Sequence, residues 1–301
     1  MSAEMFPNWR SRLPYQSIGN RPKFELPNNA RVVVWSIVNI ENWAPEALMP
    51  RMVLPPPMGA GAPLLPDLPN WACHEYGNRV GFWRIHEMLK KRNLKATFAV
   101  NGSAVELYEE VCRAAHDSEW EFMGHGWVQR PMHKAEDQAK EISQTIEAIR
   151  EMTGNPPRGW ESPGLTETPD TIDLLAAAGI EYVADWVVDD QPVYVNTRSG
   201  PIPAIPYTVE INDVPMLFTQ AQRSDEIYRR GKDQFDRLYE EGETIPRVMA
   251  ISCHPYISGV PHRIGYLEKL YDYILSHEGV IMATGGEVID YFKNSPAGQL
   301  S

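Results

Sequence analysis

Residues 120–133 read WEFMGHGWVQRPMH. A short apolar run, Phe122 and Met123, stops at Gly124, and His125 and Gly126 follow. A strand that ends in Gly-His-Gly sets an imidazole at its carboxyl end, beside backbone free to take positive φ or to approach a ligand closely. In α/β barrels and open α/β sheets that is the end where ligands bind. One such histidine is weak by itself, because an ordinary loop histidine reads the same way. The rest of the chain supplies the weight.

Arg31–Val38 (RVVVWSIV) is a continuous β-branched run, the pattern of a strand buried on both faces. It ends in Asn39-Ile40-Glu41-Asn42, and strand alternation puts Asn39 and Glu41 on one face with Ile40 on the other. Further strands are expected at 95–100, 120–123, near 158–161, and at 180–184, 247–252 and 280–283, with a β-rich, proline-containing piece over 201–218. Between them lie helical patterns at 76–92, 103–116, 134–152, 169–178, 224–241 and 262–277, with a closing helix over 286–292. In the first of these, Val80, Trp83, Ile85, Met88 and Leu89 make the inner side. About seven βα units over this length predict one barrel-like α/β domain. That domain spans 31–295, preceded by an irregular arm at 1–30 lying on the body or on a neighbouring subunit. A proline-dense loop over 44–75 interrupts it, and an insertion of that length is functional or an interface element.

Composition narrows the function. At 301 residues with 43% apolar and 23% charged, the chain reads as a globular protein with a full core. A net charge of −12 argues against a nucleic-acid or membrane-surface partner, since both want a basic face. No apolar run is long enough to span a bilayer, and the N-terminus lacks a secretory pattern. Cys73, Cys112 and Cys253 are widely spaced and make neither a disulfide framework nor a thiolate metal site. The expectation is a cytoplasmic protein acting on a small molecule, with the arm and loop making contacts in a homo-oligomer.

The residues just after each strand share a character. They are Asn39 and Glu41, Asn101, His125, Trp160 with Glu161, Asp185 with Trp186, Asn212 with Asp213, and His254. Turn chemistry favours Gly, Asp, Asn and Ser, not His, Glu and Trp. Histidines and carboxylates gathered at one barrel rim supply the proton acceptor, proton donor and oxyanion holder of a hydrolytic site. Asn39 and Asp185 also read as caps, His133 as a surface or capping residue, and His74, His86, His116, His262 and His277 as structural or solvated.

Taken in order, these residues resemble the polysaccharide deacetylase (NodB-like) superfamily. The motifs are YGNRVG at 76–81, KATFAVNG at 95–102, GHGW at 124–127 and GWESP at 159–163. They continue with Asp185-Trp186, DDQP at 189–192, PYT at 206–208, Asn212-Asp213 and HPY at 254–256. The set is similar to the branch of cofactor-independent allantoinases and cyclic imide hydrolases. The resemblance implies a distorted (β/α) barrel of seven or eight strands that hydrolyses a carbon–nitrogen amide-type bond. Metal-using members carry adjacent aspartates after the first strand, one as base and one as metal ligand, and two histidines in an HxxxH motif. Here the first motif is Asn39-Ile40-Glu41, with an amide in the base position, and Gln129 stands four residues after His125. A metal, zinc if any, would have Glu41, His125 and the Gln129 amide, or would recruit His133. Amides are poor substitutes for imidazole, so the expectation is no cofactor or a weakly bound divalent ion.

The resulting hypothesis is ring opening of a small cyclic amide, imide or ureide. Glu41 acts as general base, His125 positions water or polarises the carbonyl, and His254 protonates the leaving nitrogen, with Asp185 orienting a histidine. Arg79 holds a substrate oxygen, Trp160, Trp186 and Tyr256 wall the ring, and Asn39 and Asn212 contribute hydrogen bonds. Two alternatives stand beside it: a metal-dependent deacetylase of an N-acetylated sugar or small N-acyl compound, and a non-catalytic ligand-binding protein on a decayed deacetylase scaffold.

Overall fold

The computed structural model describes residues 8–57 and 64–299. Its strands are β1 (Val32–Ile40), β2 (Thr97–Val100), β3 (Glu121–Gly124), β4 (Gly159–Trp160), β5 (Tyr182–Val183), β6 (Val193–Val195), β7 (Ile202–Ala204), β8 (Arg247–Cys253) and β9 (Val280–Ala283). Its α-helices are α1 (Trp9–Arg12), α2 (Leu68–Tyr76), α3 (Phe82–Lys91), α4 (Gly102–Leu107), α5 (Glu109–Asp117), α6 (Gln138–Thr153), α7 (Thr171–Ala177), α8 (Glu226–Glu241), α9 (Pro255–Ser258), α10 (Pro261–Leu275) and α11 (Gly285–Asn294). No helix among the described residues is long and apolar enough to cross a membrane.

Every residue of β1 is buried, as its β-branched run requires of a central strand. It pairs in parallel with β8 on one edge. Its other edge is shared, β9 taking Val32–Trp35 and β2 taking Ile37–Ile40. The sheet runs β6-β7-β5-β4-β3-β2-β1-β8, parallel except for the β6–β7 pair, and curls into a half-barrel. Its open side is stitched by loops. Val248 N donates to Asp190 O (2.9 Å), Ala250 N to Thr208 Oγ1 (2.9 Å), and Asn212 bridges Ser252.

Alternation then sorts the side chains. Even-numbered Val32, Val34, Val38 and Ile40 of β1 pack outward against Phe82, Ile85, Met88 and Leu89 of α3 and residues of α8 and α10. Odd-numbered Val33, Trp35 and Ile37 fill the barrel with Ala99, Met123, Tyr182, Val248 and Ala250. Continuing those inward rows past the strand ends gives Asn39 and Glu41, Asn101, His125, Ser252 and His254, all buried. The interior therefore changes from apolar to polar at the carboxyl ends of the strands.

Several elements differ from expectation. The helix expected over 76–92 is two helices joined by a π-type turn, Gly77–Gly81. A wider turn rotates the following face, so Phe82 is buried while Val80 and Trp83 are exposed. The turn needs both its glycines: a Cβ on Gly77 would lie 2.4 Å from Tyr256 N, and one on Gly81 2.1 Å from Pro255 O. That close approach holds the segment carrying His254 against the front of α3. The helix expected over 103–116 breaks at Tyr108 (φ −121°, ψ 48°) into α4 and α5. Residues 68–75, within the expected loop, belong to α2, capped by the Asp67 side chain accepting from Asn70 N. Residues 214–219 make a second π-type turn, not strand. The described part of the arm lies on the body, with Phe24 in the barrel floor beside Phe292 and Arg12 paired with Asp173 at 2.6 Å.

Candidate active site

Glu41, one residue past the end of β1, is the centre of the polar cluster. Its Oε2 accepts from Trp43 Nε1 at 2.6 Å, and the Arg51 guanidinium lies 3.3 and 3.4 Å from its two oxygens. Its Oε1 lies 3.5 Å from His254 Nε2 and 3.9 Å from His125 Nε2, and its Oε2 lies 3.9 Å from His74 Nε2. Burial alone would raise this carboxyl, but Arg51, His125 and His254 outweigh it and hold Glu41 well below the usual carboxylate range. It stays ionised, and a carboxylate so stabilised is a weak proton acceptor.

His254 sits between two carboxylates. Its Nδ1 donates to Asp213 Oδ1 (2.7 Å) while Nε2 faces Glu41. Asp213 is itself fixed, Oδ2 accepting from His254 N (2.8 Å) and Ser258 Oγ (2.6 Å). Burial opposes charge on the ring, but Asp213 and Glu41 prevail and lift His254 to about 9. His125 Nδ1 lies 2.7 Å from Glu161 O. A carbonyl only accepts, so Nδ1 carries the proton and Nε2 turns toward Glu41, buried and with no hydrogen-bond partner among the described residues. Burial opposes its charge too, and Glu41 and Glu161 raise it.

Glu161 follows β4 and shares the inward face with Gly159, whose Cα lies against Tyr182 in the barrel. Its Oε2 is buried and unpartnered. Burial, aided by Asp185 and Glu41 and opposed by His125 and His254, pushes it up to about 7. The rim thus holds a cationic imidazole, an anionic carboxylate and a carboxyl poised near neutrality. Those are the parts of an acid–base site.

The polysaccharide deacetylase family model matches residues 71–183. A Schizosaccharomyces pombe relative bearing the polysaccharide deacetylase name is 29% identical over 87% of this chain and 90% of its own length. The structure of a probable polysaccharide deacetylase from Pseudomonas aeruginosa superimposes with a TM-score of 0.80 at 29% identity, covering 95% of this chain and all of that one. The chain carries a polysaccharide deacetylase domain. PuuE allantoinase is also similar, at 26% identity and a TM-score of 0.80 over 93% of this chain and 97% of that one. The protein is accordingly a carbon–nitrogen (amide) hydrolase that carries a polysaccharide deacetylase domain.

The structure brings some of the residues singled out from this hydrolase's sequence together and sets others apart. Glu41, His125, His254 and Tyr256 come together, Tyr256 OH accepting from Arg51 Nη1 at 3.2 Å. Asn39 points into the barrel, donating to Ser252 Oγ (3.0 Å) with its Oδ1 buried and unpartnered. Asp185 orients no histidine. It accepts from Ser162 N (2.6 Å) and lies beside Glu167, burial raising both carboxyls. The orienter of His254 is Asp213, and that of His125 is the Glu161 carbonyl. Arg79 is exposed on the π-type turn, because the buried side of that turn belongs to Gly77, Asn78 and Gly81. Trp160 is core, fully buried against Gly124 on the outer face and donating to Ser162 Oγ. Trp186 is spent on Glu167 Oε1 (3.0 Å) and on Trp9. Asn212 is spent on Tyr207 OH (2.6 Å) and Val214 N (2.8 Å). His133 is exposed.

Five residues that the structure sets in or beside this cluster carry no assigned role in the sequence reading: Trp43, Arg51, His74, Asp213 and Glu161. His74, read as structural or solvated, is buried and stacks on Trp43 with ring centroids 4.4 Å apart. Asp213 and Glu161 stood in the strand-end pattern, where burial parity would have favoured Glu161 over Trp160. Nothing local marks Arg51.

The family contains metal-dependent and metal-independent members. Of the ligands expected for a divalent ion, Gln129 and Glu41 are already engaged by other groups. Gln129 Oε1 already accepts from Asn101 Nδ2 (3.2 Å), and Arg51 already sets a positive charge against Glu41. Among the described residues no three His, Cys, Asp or Glu groups are arranged to hold a metal.

Proposed function

We propose that this deacetylase-family enzyme opens a small cyclic amide, imide or ureide by acid–base hydrolysis. One observation carries the reading: His254, held between Asp213 and Glu41, faces the same carboxylate as the unpartnered His125 Nε2. At neutral pH His254 is a charged acid aimed into the cage, suited to protonate a leaving nitrogen. Glu161, poised near 7, takes the proton from water. This reassigns the base from Glu41, whose anion instead balances the imidazoles. His125 Nε2 holds the water or the carbonyl. The flat surfaces of Trp43, His74 and Tyr256 suit a planar ring, and the burial of Glu41, His125, Glu161 and His254, 1–3% exposed, suits a small substrate better than a polymer. The similarity to PuuE allantoinase over nearly the whole chain favours a ring substrate.

A second reading, deacetylation of an N-acyl compound, is favoured by the Helicobacter pylori peptidoglycan deacetylase, 25% identical over 73% of this chain and 87% of its own length. Hydrolysis of allantoin, hydantoin and succinimide beside a simple N-acetyl amine decides between them, with metal content measured before and after chelation. Ring opening that survives chelation supports the first reading. Chelator-sensitive cleavage of the N-acetyl amine alone replaces it with the second. Residues 31–295 act in this reading as one catalytic domain, and exposed Leu48, Leu64 and Leu65 of the proline-rich loop favour a homo-oligomer.

A further inference from the structure

We propose that Arg51 is the residue that binds the substrate's carbonyl oxygen and stabilises its developing negative charge, and that in the free enzyme it is parked on Glu41. The inference rests on the ring-opening reading and adds to it the group that polarises the carbonyl.

Three observations meet at this side chain. The reacting groups are enclosed: Glu41 and His125 are 1% exposed, Glu161 and His254 3%. A substrate enters only if a group near Glu41 moves. Four side chains surround that carboxylate besides the two catalytic histidines: Trp43, His74, Tyr256 and Arg51. Trp43 is anchored by a 2.6 Å hydrogen bond, and His74 and Tyr256 belong to α2 and α9. Arg51 alone comes from the irregular segment 44–57, and its 3.3 and 3.4 Å contacts with Glu41 are long for charge-assisted hydrogen bonds. Its loop is tethered just beyond by Asn70 Oδ1, which accepts from Val53 N and Leu54 N at 2.7 Å each. The arginine can therefore swing while its base stays docked on α2.

The third observation is chemical. A guanidinium presents a planar fork of donors that cannot lose its proton at working pH, which suits it to carbonyl oxygens that become anionic. It stands against the same carboxylate as the acid His254 and the free nitrogen of His125. Arg79, the arginine expected for this task, points to solvent. A substrate with two carbonyls flanking nitrogen, an imide or ureide, offers the fork one oxygen while the other takes neighbouring donors. In the reaction water's O–H bond breaks as its oxygen bonds the carbonyl carbon. Its proton passes to Glu161, the C–N bond breaks, and His254 protonates the nitrogen. Arg51 exchanges no proton.

The test is steady-state kinetics of wild type, Arg51→Ala and Arg51→Lys on whichever panel amide the wild type cleaves, with added guanidinium chloride and, separately, ammonium chloride. Arg51→Ala is expected to lose about 100-fold or more in kcat/KM, mostly in kcat, as for removal of an oxyanion donor. Low millimolar guanidinium restores at least about tenfold of it and ammonium does not, because only the planar ion reproduces the fork. Activity within about threefold of wild type, or equal response to the two salts, overturns the proposal. Should Arg51→Ala fail to fold, Arg51→Lys with an unchanged melting temperature decides: a loss of about tenfold or more supports the proposal, and a smaller one overturns it. The ring-opening reading fails separately, when the wild type cleaves only the N-acetyl amine; the arginine is then tested on that substrate.

Discussion

Two carboxylates at opposite ends of the barrel interior, Glu121 and Glu41, live differently. Glu121, at the floor, accepts from Thr97 Oγ1 (3.1 Å), Tyr182 OH (2.9 Å) and Gly286 N (2.9 Å). Its partners are mainly neutral donors, and burial raises it. Glu41, at the rim, is ringed by a guanidinium and three imidazoles, and burial loses to charge. The floor is satisfied and joins β2, β3, β5 and α11 into one block. The rim keeps unpartnered nitrogens and oxygens on His125, Glu161 and Asn39. Unsatisfied buried groups cost stability, so their concentration at one end of an otherwise saturated barrel marks the end that waits for a ligand.

That contrast breaks most sharply in paired substitutions. Glu41→Gln should lower kcat/KM by about 10³-fold with the fold retained, since the anion that holds both imidazoles is gone. Glu121→Gln should leave activity within a few-fold and instead lower the melting temperature. Equal activity losses in the two variants would erase the distinction between rim and floor.

Next in size is Asp213→Asn, expected to cost about 10²-fold, because the acid loses the partner that keeps it charged. In the wild type, activity should rise as Glu161 deprotonates through about pH 7 and fall as His254 deprotonates through about pH 9. Asp213→Asn should draw the alkaline limb downward and leave the acidic limb in place. A pH–rate profile flat from 5 to 9 would contradict both assignments.

A smaller effect concerns stability. Glu161 has a folded-state value above its unfolded one, so ionising it disfavours the fold. The penalty is absent below about pH 4.5, grows through pH 7 and then levels at roughly 3 kcal/mol. Chemical denaturation of Glu161→Gln should therefore show it gaining on wild type between pH 5 and 8, with kcat lost over the same range. The smallest effect belongs to Arg79→Ala, expected within about twofold of wild type for an exposed side chain outside the cage. A large loss there would restore the role the sequence suggested for it.

What was legible in the sequence was periodic. Strand alternation, βα repetition and the polar residue after each strand depend on neighbours one or two positions apart, and they single out Glu41, His125 and His254. The errors follow from the same source. Trp160 and Glu161 are adjacent, and only burial parity tells that the first faces the helices and the second the barrel. The helix phase slipped at Val80 and Trp83 because a π-type turn adds a residue that no 3.6-residue period anticipates. Asp213 and His254 meet across 41 residues, and Arg51 and Tyr256 across 205. Contacts at such separations leave no periodic trace, since they arise from how loops fold over a finished barrel. The sequence by itself determined the barrel and the gathering of histidines and carboxylates at its rim. The tertiary structure decided which carboxyl is held low, which is lifted, and which arginine stands beside them, because those outcomes depend on desolvation and on distances of a few ångströms between segments far apart in the chain.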